Sequence, residues 1–246
     1  MSAKEKNLII QMGYMYRYNN AIKYTFNKIK EGFVGTPLSI EASMSTGLNV
    51  DFKKRLMSYN VLAPSMYIYG CHLIDLIVSI LGKPKRVIPF NKKTGIDNLD
   101  LEDSGFAILE YDKGIATVRI NCSEINGWER REFSVCGDQG TIMIQPIETH
   151  SKVVICNKEY AKAWNCCGKE VEIAPQNGRY IDQFKHLYKM INKEENNPYS
   201  YEHEYLVHKL TLEACGYSFD KWYMAVNNSV SNEKNNTIKI IIISLI

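Results

Sequence analysis

Two pairs of β-rich segments joined by tight turns constrain the fold of this chain most strongly. An Asp-Lys-Gly turn separates residues 104–111 from 115–122, and a Gly-Asp-Gln-Gly turn separates residues 129–136 from 141–144. Strands that are joined by such short connections must run antiparallel. Because these strands are segregated from the helical segments, the pattern predicts an α+β fold and not a parallel, doubly wound sheet.

Shorter patterns predict the other elements. A helix begins at Asn19-Asn20 and ends near Gly32. Further strands are expected at residues 8–12, 38–45, 152–156 and 170–173, further helices at 64–81, 180–192 and 201–214, and a loop at 47–60. Residues 1–216 are therefore predicted to form one domain, followed by an irregular extension at 217–246.

Bulk properties exclude several classes of protein. The 246 residues are 45% hydrophobic and 23% charged, which is typical of a globular domain. A net charge of +3 with scattered Lys and Arg argues against nucleic acid as a partner. No apolar run suits a membrane span, no secretory pattern is seen, and the seven cysteines lack metal-ligand spacing. We therefore expect a cytoplasmic protein with reduced thiols and no metal site.

Polar residues at helical spacing mark two of the predicted helices. His72 and Asp75 lie three residues apart in the apolar run 68–81, so they share one helix face. A buried imidazole can act as an acid or base near neutral pH, or it can simply be hydrogen-bonded in the core. Asp75 more often has a structural role, because buried acids need partners. Glu204 and His208, four apart on the last helix, predict a surface pair.

Four short segments together resemble the C-terminal domain of one enzyme family. They are Gly-Tyr-Met-Tyr-Arg-Tyr-Asn at 13–19, Gly-Cys-His-Leu-Ile-Asp at 70–75, Val-Cys-Gly-Asp-Gln-Gly-Thr at 135–141, and Arg-Tyr at 179–180. Their order and spacing over residues 8–216 are similar to the glucose-fructose oxidoreductase, inositol dehydrogenase and rhizopine-catabolism (Gfo/Idh/MocA) family. The resemblance implies an open, largely antiparallel sheet with helices on one face, and a homo-oligomer formed through the sheet.

The same resemblance implies a function. Family members are NAD(P)-dependent oxidoreductases that act on a hydroxyl of a sugar, cyclitol or other polyol, and this domain supplies the substrate side. It implies His72 as the catalytic residue and Tyr16, Arg17 and Asp75 as substrate-binding residues. The bound partner would be a small sugar-like molecule.

Three departures from the family pattern limit that implication. The chain contains neither a Gly-x-Gly-x-x-Gly motif nor the Glu-Lys-Pro motif that carries the family's lysine, and Ile68 replaces a common aspartate four residues before His72. We therefore expect this polypeptide not to bind NAD or NADP in the usual way and to be inactive alone. The alternative is a non-catalytic module for oligomerisation or ligand binding.

Neighbouring residues offer further contacts, each with two interpretations. Tyr14, Tyr16 and Tyr18 alternate, which in an extended segment places them on one face, either lining a sugar pocket or packed under the sheet. The planar fork of Arg17 suits a carboxylate, hydroxyl or phosphate, or an ion pair at the domain junction. Trp128 is expected either to stack on a sugar ring or to lie at a subunit interface or at the rim of the site.

Overall fold

In the part of the chain that the structure describes, the architecture is an eight-stranded sheet with helices on one face. The computed structural model describes residues 4–59, 61–148, 150–158, 160–161, 168–176 and 178–218. The strands are β1 Pro37–Ser43, β2 Arg86–Lys93, β3 Glu102–Glu110, β4 Ile115–Asn121, β5 Glu132–Gly137, β6 Gly140–Ile144, β7 Val153–Asn157 and β8 Lys169–Val171. The helices are α1 Asn20–Lys30, α2 Val50–Met57, α3 Cys71–Leu81, α4 Ile181–Ile191 and α5 Tyr201–Ala214. A π-helical turn, Met66–Gly70, leads directly into α3.

The strand order β2-β3-β4-β1-β5-β6-β7-β8 confirms the predicted α+β class. Both predicted hairpins, β3–β4 and β5–β6, are antiparallel. One neighbouring pair is parallel: β1 lies beside β4, with Ile40 opposite Ala116. This pairing joins strands that are separated by two helices and two other strands, so no short turn in the sequence announces it.

The core lies between one sheet face and the helices. Ala107 and Leu109 on β3, and Ala116 and Val118 on β4, are fully buried on this face. Helix α3 packs on β1 and β4, and α5 packs on β2. Residues that alternate with these point to the other face, where Phe90 of β2 remains 50% exposed.

Two glycines allow the β5–β6 hairpin to approach neighbouring backbone closely. A Cβ on Gly137 would lie 2.2 Å from the carbonyl oxygen of Val34, and one on Gly140 would lie 2.9 Å from that of Phe33. The hairpin therefore packs its backbone directly against the segment after α1. Asp138 strengthens this contact, since its carboxylate accepts the backbone N–H of Thr36 at 2.8 Å.

Several predictions about individual elements were wrong. Residues 8–12 form no strand, because side chains of the α4–α5 region bind their carbonyl groups; Asn197 donates to Ile10 at 3.0 Å. The expected loop 47–60 contains α2, whose first turn Asn49 caps by accepting the N–H of Phe52. Strand β2 was not predicted, since it lies at a sheet edge and none of its residues is fully buried.

The expectations about cysteines and the C-terminal extension have separate outcomes. Cys71, Cys122, Cys136 and Cys215 are free thiols, whereas Cys156 is disulfide-bonded, so the expectation of reduced thiols throughout was wrong for that residue. The extension from residue 219 onward lies outside the described residues. Within the described part of the chain, no helix combines the length and the apolarity that crossing a bilayer requires.

Candidate functional site

His72 lies in the first turn of α3 and is the centre of the candidate site. Its side chain is buried, and its Nδ1 has no hydrogen-bond partner among the described residues. The rings of Tyr14 and Tyr16 flank it, with ring centroids 5.9 Å and 5.8 Å away. Burial, assisted by the charge of Arg179, lowers the pKa of His72 to about 3 despite the opposing charge of Asp75. The imidazole is therefore neutral at neutral pH.

His72 borders a cavity of about 190 Å³. Two arginines and several aromatic rings share this wall: Arg131, Arg179, Tyr69, Trp128 and Tyr180. Ile68 also lines the cavity, one helical turn before His72, where the family commonly has an aspartate. The absence of an acid at this position agrees with the unpartnered Nδ1 of His72.

Glu148, in the loop after β6, anchors the two arginines. Its Oε1 accepts hydrogen bonds from Arg179 Nη2 at 2.9 Å, from the Tyr16 hydroxyl at 2.7 Å and from Arg131 Nη1. Arg131 is almost fully buried, and its guanidinium stacks 3.5 Å from the centroid of the Trp128 ring. This arrangement holds the cationic side of the cavity in one geometry.

A second, larger cavity of about 430 Å³ adjoins the first. Both cavities are lined by Met15 and Arg179, so Arg179 stands between them. Glu148 and the amide side chains of Asn19 and Gln176 line the larger space. A ligand in the smaller cavity therefore has polar space available beyond Arg179.

Behind His72, a buried ion cluster joins the N-terminal segment to α3 and α5. Arg17 donates to both oxygens of Asp75, at 2.8 Å and 2.6 Å, and to both oxygens of Glu204, at 2.8 Å and 2.9 Å. His203 Nε2 lies 2.9 Å from Asp75 Oδ1, and the Tyr199 ring covers the guanidinium at 3.5 Å. Burial raises the pKa of Asp75, but the charge and hydrogen bonds of Arg17 outweigh this effect. The pKa of Asp75 is therefore below its usual value.

The structure assigns different surroundings to the four predicted site residues. His72 lines the smaller cavity, and Tyr16 lines the larger one. Arg17 and Asp75 bind each other in the core, which favours the ion-pair interpretation of Arg17 and the structural interpretation of Asp75. The three tyrosines do not share an extended face, since residues 15–18 form a 3-10 turn.

Sequence reasoning missed three carboxylate or imidazole groups. Glu148 is an isolated acid in a loop, and no local pattern distinguishes it. Glu204 was predicted to pair with His208 at the surface, but it is buried and bound to Arg17, so that prediction was wrong. His203 carries no signal beyond its helical spacing, because its partner Asp75 is 128 residues away.

Among the described residues, three helix N-termini are capped by side chains, and no cluster suited to a metal ion is found. No group of His, Cys, Asp and Glu in the described part of the chain has the arrangement of a metal site. The first N–H groups of α1, α2 and α5 are occupied by the capping side chains Asn19, Asn49 and Ser200. A dinucleotide-binding glycine loop is also absent from the sequence.

Comparisons with known proteins agree with this architecture. Residues 25–143 match the protein-family model of the GFO/IDH/MocA C-terminal domain. A search of curated proteins found no match. Among solved structures, levoglucosan dehydrogenase in complex with NADH and levoglucosan aligns with TM-score 0.70 and 16% identity, over 87% of this chain and 65% of that one.

Two further solved structures have the same fold. UDP-N-acetylglucosamine 3-dehydrogenase from Acidithiobacillus ferrooxidans aligns with TM-score 0.68 and 14% identity, over 87% of this chain and 63% of its own. Aldose-aldose oxidoreductase from Caulobacter crescentus, complexed with glycerol, aligns with TM-score 0.64 and 16% identity, over 92% of this chain and 64% of that one. The chain thus spans less than two thirds of the length of each of these enzymes. It carries a C-terminal domain of the GFO/IDH/MocA family, to which its residues 25–143 belong.

Proposed function

We propose that this chain is the substrate-binding domain of an NAD(P)-dependent oxidoreductase that acts on a hydroxyl of a sugar, cyclitol or related polyol. The observation that carries the proposal is the neutral, buried His72 on the wall of a small cavity, with Nδ1 unpartnered among the described residues. The unpartnered nitrogen of a neutral imidazole can donate a hydrogen bond to a substrate hydroxyl or accept one from it, depending on the tautomer.

The part of the reaction assigned to this chain is binding and orientation. The aromatic rings of Tyr69, Trp128 and Tyr180 present apolar surface to the C–H face of a sugar ring, while His72 contacts a hydroxyl. The sequence carries no Gly-x-Gly-x-x-Gly motif, so the role proposed for this chain is confined to the substrate. We expect the polypeptide alone to bind a polyol but not NAD or NADP, and calorimetric titration with each dinucleotide checks this.

The compounds named for the structural neighbours support the proposed substrate class. One neighbour is a levoglucosan dehydrogenase, one a UDP-N-acetylglucosamine dehydrogenase, and one an oxidoreductase complexed with glycerol. Each name refers to a carbohydrate or a polyol. The identities of 14% to 16% transfer the fold only, so the substrate of this chain stays a proposal.

Trp128 at the cavity provides a direct test of the proposal. With Trp164 and Trp222 replaced by Phe, the emission of Trp128 reports on the cavity alone. We expect titration with inositol, glucose or levoglucosan to change this emission saturably. His72→Gln should weaken binding at least about tenfold, roughly 1.4 kcal/mol. His208→Gln is the matched control, since His208 does not line this cavity. Absence of saturable binding for every polyol would contradict the proposal.

A second candidate function is oligomerisation through the uncovered sheet face. Ile88 lies opposite Ile108, and Phe90 lies opposite Phe106, on the face that the helices leave open. Phe90 is 50% exposed and the other three side chains are partly buried, and apolar side chains grouped on an uncovered face are typical of protein–protein contacts. The two functions are compatible, because the cavity lies on the helix-covered side.

A further inference from the structure

We propose that the ligand of the His72 cavity is anionic: a small polyol that carries a carboxylate, which Arg179 binds with the support of Arg131. This inference rests on the proposed function and narrows its substrate class to sugar acids. Three features of the described residues carry it: the charge of the cavity wall, an unused donor on Arg179, and the division of polar contacts between Arg179 and His72.

The wall of the 190 Å³ cavity is positively charged. Arg131 and Arg179 both line it, and no carboxylate is among its lining residues. Among the described residues their one counter-charge is Glu148, whose Oε1 accepts hydrogen bonds from both guanidinium groups and which lines the larger cavity. Two cations therefore share one anion. The other nearby cation, Arg17, is compensated by Asp75 and Glu204 and adds no charge to the cavity.

Arg179 has a buried N–H donor without an acceptor among the described residues. Its Nη2 donates to Glu148, but its Nε is buried and has no acceptor among the described residues. A buried cationic N–H without an acceptor is costly, so an acceptor is expected to reach it when the site is filled. The planar guanidinium fork matches the two oxygens of a carboxylate in geometry as well as in charge.

His72 and Arg179 then have separate roles in the same cavity. His72 contributes no positive charge because it is neutral, so its contact is suited to a hydroxyl. Arg179 supplies the charge that selects an anion. The volume of about 190 Å³ lies below the roughly 300–1,000 Å³ of pockets for drug-sized ligands, which favours a ligand of one small ring or chain.

The test compares ligands with one ring and different charge. D-Glucose, D-glucuronate and D-glucose 6-phosphate are titrated into the full chain, followed by Trp128 emission and calorimetry at low and high salt. We expect glucuronate to bind at least tenfold more tightly than glucose, with an advantage that shrinks as salt rises. Arg179→Gln should reduce the ratio of the two affinities to near one, and Arg179→Lys should leave an intermediate ratio because the charge remains without the fork.

Arg86→Gln is the matched control, since Arg86 lies exposed on the edge strand β2 and should leave the ratio unchanged. Circular dichroism establishes that each variant is folded. Equal or tighter binding of glucose overturns the inference while the proposed function stands. Tighter binding of glucose 6-phosphate than of glucuronate overturns the carboxylate assignment. Binding of none of the three contradicts the proposed function and this inference together.

Discussion

At the scale of single residues, His72 and Asp75 share a helix face but have different partners. Asp75 is bound by Arg17 and His203, whereas His72 borders the cavity. Their spacing of three predicted the shared face correctly. It did not predict the partners of Asp75, because these lie 58 and 128 residues away along the chain. The role of each residue therefore depends on tertiary contacts.

Asp75→Asn should destabilise the protein strongly. It removes the charge of a fully buried carboxylate that binds both Arg17 and His203, while Glu204 continues to compensate the charge of Arg17. Buried groups that lose a hydrogen-bonding partner in this way typically cost about 1–3 kcal/mol in the free energy of unfolding. Asp112→Asn is the control, because its pair with Lys85 is exposed and is expected to contribute 0–1 kcal/mol or so. Urea unfolding measures both, and equal losses for the two variants would refute the role assigned to Asp75.

His72 should also make stability fall in mild acid. Its folded-state pKa is about 3, against 6.5 when unfolded, so below pH 6.5 the unfolded state binds more protons. One such histidine lowers the free energy of unfolding by about 2 kcal/mol between pH 7 and pH 5. His72→Gln should remove that part of the loss. Titration of Asp75 does not change stability between pH 7 and pH 5, because its pKa lies below 3.8 in the folded state. Urea unfolding at both pH values tests this, and an unchanged slope would exclude a buried neutral His72.

At the scale of elements, turn and cap signals were reliable where the contacts are local. Asn19 caps α1 by accepting the N–H groups of Ala21 and Ile22, as predicted. Helix α5 has the predicted bounds. The failures were residues 8–12, where side chains from other elements replace strand partners, and the edge strand β2. In both places, neighbours distant in sequence determine the backbone conformation.

Gly137→Ala tests the packing of the β5–β6 hairpin. The new Cβ would lie 2.2 Å from the Val34 carbonyl oxygen, so one backbone segment must move. Overpacking of this kind costs about 1–3 kcal/mol. Cys136→Ala on the same strand is the control, because Cys136 is exposed and its removal should change stability by less than about 0.5 kcal/mol. Thermal unfolding compares them, and a loss for Gly137→Ala as small as that of the control would show that the close approach is not needed.

At the scale of the whole molecule, the sheet separates a filled face from an open one. The helices bury Ala107 and Leu109, while Phe106 and Ile108 alternate with them toward the open side. The sequence did not show which set faces the helices, because both sets are apolar. An open face with apolar side chains suggests a self-contact, and this stays a prediction.

Phe90→Glu should weaken self-association through that face. Phe90 is 50% exposed on the open side of β2, and a carboxylate there would be desolvated in an interface. We expect the dissociation constant to rise at least about 100-fold, roughly 2.7 kcal/mol. Tyr188→Glu is the control, because Tyr188 is exposed on α4, away from the sheet. Light scattering over a concentration series measures this, and a monomer at every concentration would reject the sheet interface.

The sequence by itself determined the antiparallel hairpins, the cap of α1 and the apolar face of α3. These depend on hydrogen bonds and periodicities within a few residues, so local composition suffices to predict them. Only the tertiary structure decided the parallel β1–β4 pair, the cluster around Arg17 and the cavity shared by His72 and Arg179. Those features join groups up to 187 residues apart, and their free energy arises only when the whole chain is packed.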